Sequence, residues 1–271
     1  MDILLPVILV FILGAAVGSF LNVVIYRLPA GLSLIYPPSR CPRCHTRLKP
    51  YDNVPVLGWL WLRGRCRYCR APIAGRYPLI EFITGLLFVS VLGQFGGGIE
   101  MLGYWLLVSW LLVLALIDLD TLTLPDPLTI SGLCLGWGFH AALAYTQTQT
   151  LSGGLAGLMT AVVASIIGLW LFDSISVLGS ILLGKTAMGG GDAKLAAMLG
   201  AWLGWQGLLL STFLAAAIGA FGGVGAIALG QLDRQRRIPF GPMLVLGALI
   251  TLFYGNLLIQ AYLGLFLPPV S

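Results

Sequence analysis

The chain has 271 residues, of which 58% are hydrophobic and only 9% charged, and its mean hydropathy is +0.95. No soluble globular protein presents that composition to water, so the class is excluded and the chain belongs in lipid. Fifteen cations against ten acids leave a formal charge of +5, which reports on membrane topology and contact with anionic lipid rather than on nucleic acid, and no nucleic-acid partner is expected.

The apolar residues gather into runs long enough to cross roughly 30 Å of hydrocarbon at about 20 residues per helix. The fold class expected is an all-α polytopic membrane protein with about eight transmembrane helices and a small cytoplasmic zinc-ribbon-like insertion. The spans fall near residues 4–25, 78–95, 101–118, 128–146, 153–174, 193–205, 208–230 and 240–265, the sixth being short. The first run lacks a basic n-region and its first charge is Asp2, which argues against a cleaved signal peptide. Its first cation, Arg27, follows the span, so the positive-inside rule places the N-terminus outside and residues 26–77 in the cytoplasm. Threaded from that start, Arg27 through Arg76, Lys185, Lys194, Arg234, Arg236 and Arg237 all fall on the cytoplasmic side, and these are all 15 cations. Residues 1–27 then form the first transmembrane helix, 28–77 a cytoplasmic module and 78–271 a helical bundle, in which glycines such as Gly154, Gly157, Gly200 and Gly204 allow close helix packing. No internal repeat or linker to a further domain is visible.

Within residues 28–77, Cys41-Pro-Arg-Cys44 and Cys66-Arg-Tyr-Cys69 form two Cys-X-X-Cys pairs separated by 21 residues. About fifty residues usually need a staple to fold. Four thiolates at the corners of a tetrahedron satisfy Zn²⁺ completely and leave no position for water, so Cys41, Cys44, Cys66 and Cys69 are expected to hold a structural zinc. Disulfides are disfavoured by a reducing cytoplasm, and a redox dithiol would need only one pair. His45 reads as a spectator, Cys134 as a small buried apolar residue, and His140 as a capping or packing residue.

Ionisable groups near a membrane are costly enough to be functional candidates. Asp118 ends the third span in Ala115-Leu-Ile-Asp118-Leu-Asp120, and Asp192 follows three glycines in Gly189-Gly-Gly-Asp192-Ala-Lys194. Two nearby carboxylates sharing a proton supply the base that activates water and the acid that protonates a leaving group, without a metal at that site. Asp118 sits at a helix C-terminus and Asp192 before a helix, so the dipoles favour Asp192 as the ionised base, although such a pair titrates jointly. Gly189 and Gly191 would let an extended peptide approach the backbone closely. Asp192 also reads as an N-cap for a helix starting at Ala193, and Asp126, before Pro127, as the N-cap of the fourth span. Asp120 points to another face and is a supporting residue, as is Lys194. Glu81 reads as a first-turn residue placed for the helix dipole, and Asp173 as a boundary charge or a partner for Lys185.

These residues resemble the type IV prepilin peptidase family, over almost the whole chain. The resemblance runs through Gly18-Ser-Phe-Leu-Asn22-Val-Val-Ile-Tyr-Arg27-Leu-Pro29, the paired Cys-X-X-Cys, and Arg76-Tyr-Pro-Leu-Ile-Glu81. It continues through Ile117-Asp118-Leu-Asp-Thr-Leu-Thr-Leu-Pro125-Asp126, Gly189-Gly-Gly-Asp192 and Ile238-Pro-Phe-Gly-Pro242. It implies a bacterial inner-membrane aspartic endopeptidase with Asp118 and Asp192 catalytic. Such an enzyme cleaves the basic leaders of type IV prepilins and of type II secretion pseudopilins at the cytoplasmic membrane face. It also implies N-methylation of the new N-terminus with S-adenosylmethionine, for which no Gly-rich donor loop is visible in the sequence. Two other readings remain open: an ion-coupled transporter or channel using intramembrane acids, and a membrane-anchored interaction module. A relay would place its acids at mid-span, and a module would not need the glycine triplet before Asp192.

Overall fold

The computed structural model describes residues 4–184, 188–228 and 239–266. Asp2, Lys185, Arg234, Arg236, Arg237 and Ile238 lie outside them. The described chain is helical: α1 Leu4–Arg27, α2 Leu57–Trp61, α3 Arg76–Phe95, α4 Ile99–Thr121, α5 Asp126–Thr148, α6 Leu151–Leu183, α7 Gly190–Ala228 and α8 Gly241–Phe266. Seven of them, all but α2, are long and apolar enough to cross a membrane. The protein is a polytopic α-helical membrane protein, and it divides into two compact units, residues 1–113 and 114–271.

In the first unit α1 and α3 pack through small residues. A Cβ on Gly14 would stand 2.9 Å from the Gly85 Cα and the Phe88 side chain, and one on Gly18 would stand 2.8 Å from the Glu81 Cα. The pairs 14 with 85 and 18 with 81 make these helices antiparallel, at a separation that van der Waals packing in lipid rewards. Between them lies the cysteine module, with a 3-10 turn at Pro50–Asn53, the five-residue α2 and two short bridges, Arg40 to Arg47 and Arg65 to Pro72. Its small core is built on Trp59, whose indole N–H donates to the Ile73 carbonyl over 3.0 Å and whose ring leaves no room for a side chain on Gly64.

In the second unit α5 and α6 are antiparallel, with Gly157 against His140 and Ala144 and Trp137 bonded to Ser165. The α6 helix continues through exposed Asp173 to residue 183, nine residues beyond the expected end of the span. Its 33 residues cover about 50 Å, more than the hydrocarbon needs. A single acid was taken as a boundary, but the apolar pattern resumes after it. Cys134 is exposed on α5 rather than buried as expected, because an apolar position in a span does not reveal which face it occupies. His140 packs, its Nε2 lying 3.0 Å from the Trp202 carbonyl and its ring edge-on to Phe139.

The expected sixth and seventh spans are the two arms of α7, which breaks at Gly204 with φ 70° and ψ 175°. Gly168 and Ala164 meet Ala196 and Gly200, so the first arm runs antiparallel to α6. Gly247 meets Ser211, and Gly219 meets Met243, so the second arm runs antiparallel to α8. Since α8 starts beside Asp118 while α6 ends beside Met188, α6 and α8 point in opposite directions, and the chain reverses at Gly204. A left-handed φ is why glycine stands at that turn. Residues 190–203 span about 21 Å, which explains why this arm looked short in the sequence.

Candidate functional site

Asp118 lies near the end of α4 and is 6% exposed. One of its oxygens, Oδ2, accepts the backbone N–H of Gly241 at 3.1 Å, where α8 begins. A Cβ on Gly241 would stand 2.6 Å from that oxygen and 3.1 Å from Cγ, so the α8 terminus can reach the carboxylate only through glycine. Asp192 is the third residue of α7, half-buried, with its N–H bonded to the Gly189 carbonyl at 3.2 Å. Asp118 and Asp192 lie within electrostatic reach of one another. Both stand at one end of the unit, where α5, α7 and α8 all start and Gly191 touches Leu124 in the α4–α5 loop.

Two expectations about these acids change. The helix starts at Gly190 rather than Ala193, so Asp192 is not its N-cap. The dipole asymmetry argued from sequence also disappears, because Asp118 receives the N-terminus of α8 just as Asp192 sits in the first turn of α7. Sequence reasoning missed Gly241, although it lies in the quoted Ile238-Pro-Phe-Gly-Pro242 motif; only packing across 123 residues brings it to Asp118.

Among the supporting residues, Asp120 is exposed on the α4 face away from Asp118. Asp126 is the first residue of α5, the N-cap being Pro125, and its carboxylate pairs with Lys194. Both partners are largely exposed, at 57% and 44%, so this pair adds little stability. Gly189 and Gly190 have open space where a Cβ would stand. Glu81 lies in the second turn of α3, not the first, since that helix begins at Arg76. It is 9% exposed, and its Oε2 accepts the Val56 N–H at 2.7 Å.

The four ligand sulfurs of Cys41, Cys44, Cys66 and Cys69 lie within 4.8 Å of one another, with Cys41 to Cys69 at 3.8 Å and Cys44 to Cys66 at 4.0 Å. A tetrahedral zinc with bonds of about 2.3 Å needs sulfurs about 3.8 Å apart, so the cluster fits a metal, and all four are free thiols. The two knuckles share one geometry: Cys41 N–H bonds Thr46 and Cys66 N–H bonds Ala71, while His45 and Arg70, each following the second cysteine, take positive φ of 56° and 59°. Three thiols differ in acidity. The Thr46 hydroxyl and backbone hold Cys44 down to about 6, and the Cys69 backbone N–H lowers Cys66. Against the lowering effect of the Ala71 N–H, burial and the neighbouring thiols carry Cys69 up to about 11.

Two family models match the chain: the bacterial peptidase A24 N-terminal domain over residues 12–95 and the type IV leader peptidase family over residues 105–224. The chain is 41% identical to a prepilin leader peptidase/N-methyltransferase of Aeromonas hydrophila, over 96% of this chain and 94% of that protein. It is 38% identical to proteins of the same name from Burkholderia pseudomallei (strain K96243), over 90% and 84%, and Pseudomonas aeruginosa, over 93% and 91%. No solved structure matches it.

Proposed function

The chain belongs to the type IV leader peptidase family, and we propose that Asp118 and Asp192 are the catalytic pair with which it cuts the basic leader from prepilins and pseudopilins at the cytoplasmic face of a bacterial inner membrane. It is an enzyme of the prepilin leader peptidase/N-methyltransferase kind. The observation that carries the assignment is the approach of a buried, backbone-anchored carboxylate and a second one at the start of α7 within one compact unit.

In the reaction one carboxylate takes a proton from water as its oxygen bonds to the scissile carbonyl carbon. The other gives a proton to the nitrogen as the C–N bond breaks. The Gly241 N–H fixes the direction of Asp118, so the oxygen left uncommitted is Oδ1. With a helix terminus behind each carboxylate, the pair shares its proton and neither residue is the sole base. The open backbone at Gly189 and Gly190 gives an extended substrate access beside Asp192. A basic leader retained by the positive-inside rule, followed by an apolar helix, would place its scissile bond at the end of the unit where these groups lie. An ion relay is disfavoured because both acids stand at helix ends rather than at mid-span.

Residues 28–77 are the zinc module in this reading, and zinc would fold it without taking part in hydrolysis. Methyl transfer from S-adenosylmethionine to the new N-terminus follows from the relatives' names. The test is incubation of the purified chain in lipid with a prepilin, with and without S-adenosylmethionine, followed by mass spectrometry. Leader release in both and a methylated N-terminus only with the donor are expected. An intact prepilin would overturn the peptidase assignment, and cleavage without methylation would remove the second activity alone.

A further inference from the structure

Glu81 is a buried carboxylate inside a membrane-spanning helix, and the peptidase reading gives it no task. Its partners are unusual. Oε2 accepts the N–H of Val56 over 2.7 Å, and the carboxylate lies beside Ser19 of α1. Val56 has φ 61° and ψ −54°, and the Leu57 N–H closes onto the Pro55 carbonyl over 2.6 Å. This is the positive-φ γ-turn, rare and strained for any residue and more so for a β-branched one.

Depth explains the arrangement. Glu81 lies five residues into α3 from Arg76, about 7.5 Å along the axis, and Ser19 lies eight residues before the end of α1, about 12 Å. The turn that reaches them therefore sits below the charged ends of both helices. Pro55 and Asn53 line one cleft that runs along α1 from Ala16 through Ser19 and Val23 to Arg27, and with the Val56 bond to Glu81 this lays the loop alongside α1. Backbone drawn against α1 and α3 at that depth is turned from bulk water, and an unpaired N–H there would be costly; the Glu81 carboxylate supplies the acceptor. From the turn emerges α2, with Leu57, Leu60 and Trp61 at i, i+3 and i+4, exposed by 63%, 56% and 83%. Around this apolar face residues 28–77 carry nine Lys or Arg against one acid, Asp52, which is paired with Arg67.

We propose that residues 53–61 form a re-entrant tip by which the cysteine module inserts into the anionic leaflet at the Arg27 and Arg76 ends of α1 and α3, with Leu57, Leu60 and Trp61 in lipid and Glu81 tethering the Val56 turn. The occupant of the apolar face is the bilayer, chosen by the depth of the turn and by the charge around it. A polypeptide partner would have to reach the same face inside the headgroup layer.

The experiment uses the full chain in vesicles of phosphatidylglycerol and phosphatidylcholine, with Trp61 isolated as the fluorescence difference between wild type and W61F. A shallow spin-labelled lipid is expected to quench that difference signal about twofold, as for interfacial tryptophan, and aqueous iodide to leave it nearly unchanged. Glu81→Leu should reverse the pattern, and Glu81→Gln, which keeps an acceptor oxygen, should preserve it. Quenching of wild-type Trp61 by iodide and not by the lipid label would overturn the proposal and leave the face for a polypeptide. An unchanged pattern in Glu81→Leu, with Glu81→Gln as the folded reference, would remove the tether.

Discussion

Replacing Gly241 by alanine is the sharpest perturbation of the site that leaves every ionisable group in place. The new Cβ would stand 2.6 Å from Asp118 Oδ2 and 3.1 Å from Cγ. Ordinary contact begins near 3.4 Å, so the carboxylate or the α8 terminus must give way by about 0.8 Å, and the 3.1 Å hydrogen bond is lost or bent. Misplacement of a reacting group by about 1 Å costs up to ~10²-fold in rate, so kcat for prepilin cleavage should fall by roughly 10- to 100-fold. KM should change little, because Gly241 acts on Asp118. Overpacking at a buried contact costs about 1–3 kcal/mol, so the variant is compared with wild type at equal amounts of folded protein, judged by monodisperse elution in detergent. Gly138→Ala on α5 is the matched control, since its Cβ meets nothing within 4 Å, and it should cleave at close to the wild-type rate. Wild-type kcat in folded Gly241→Ala would refute the idea that the α8 terminus orients Asp118.

Gly200→Val should destabilise the second unit by a few kcal/mol, visible as a lower Tm, because even a Cβ there would meet the Ala164 carbonyl oxygen. Asp126→Asn or Lys194→Ala should change Tm by less than about 1 kcal/mol equivalent, the pair being exposed. In metal-stripped protein at pH 7.5, iodoacetamide should modify Cys44 well before Cys69. A thiol lowered to about 6 is thiolate there and one raised to about 11 is not, so as pH falls through 6 labelling of Cys44 should slow with its thiolate fraction, and the preference over Cys69 should narrow only as pH rises towards 11. Zinc should protect both. Chelation should expose residues 28–75 to proteolysis, because the module has little core besides Trp59.

Hydropathy alone located the long apolar helices among the described residues, since a run of apolar residues marks such a helix whatever it packs against. It could not show that the sixth and seventh runs are joined at Gly204 with almost no loop, because the reversal depends on one left-handed residue among many glycines. Cysteine spacing announced a metal cluster, and the sulfurs do converge. The rarity of acids marked Asp118 and Asp192 as candidates, but local sequence gave the wrong electrostatic contrast between them. Asp118 looked like a group at an unfavourable helix end because the compensating N–H comes from Gly241. Glu81 was misread for a related reason: its partner, Val56, lies in a turn whose depth only the fold defines.

The account stands most directly on cleavage of a prepilin by membranes carrying wild type, Asp118→Asn, Asp192→Asn or Asp126→Asn, because the amide keeps the shape of each side chain and removes its ionisation. Leader release should be abolished by the first two substitutions and should persist with Asp126→Asn. Undiminished cleavage by either Asp118→Asn or Asp192→Asn would contradict the two-carboxylate mechanism.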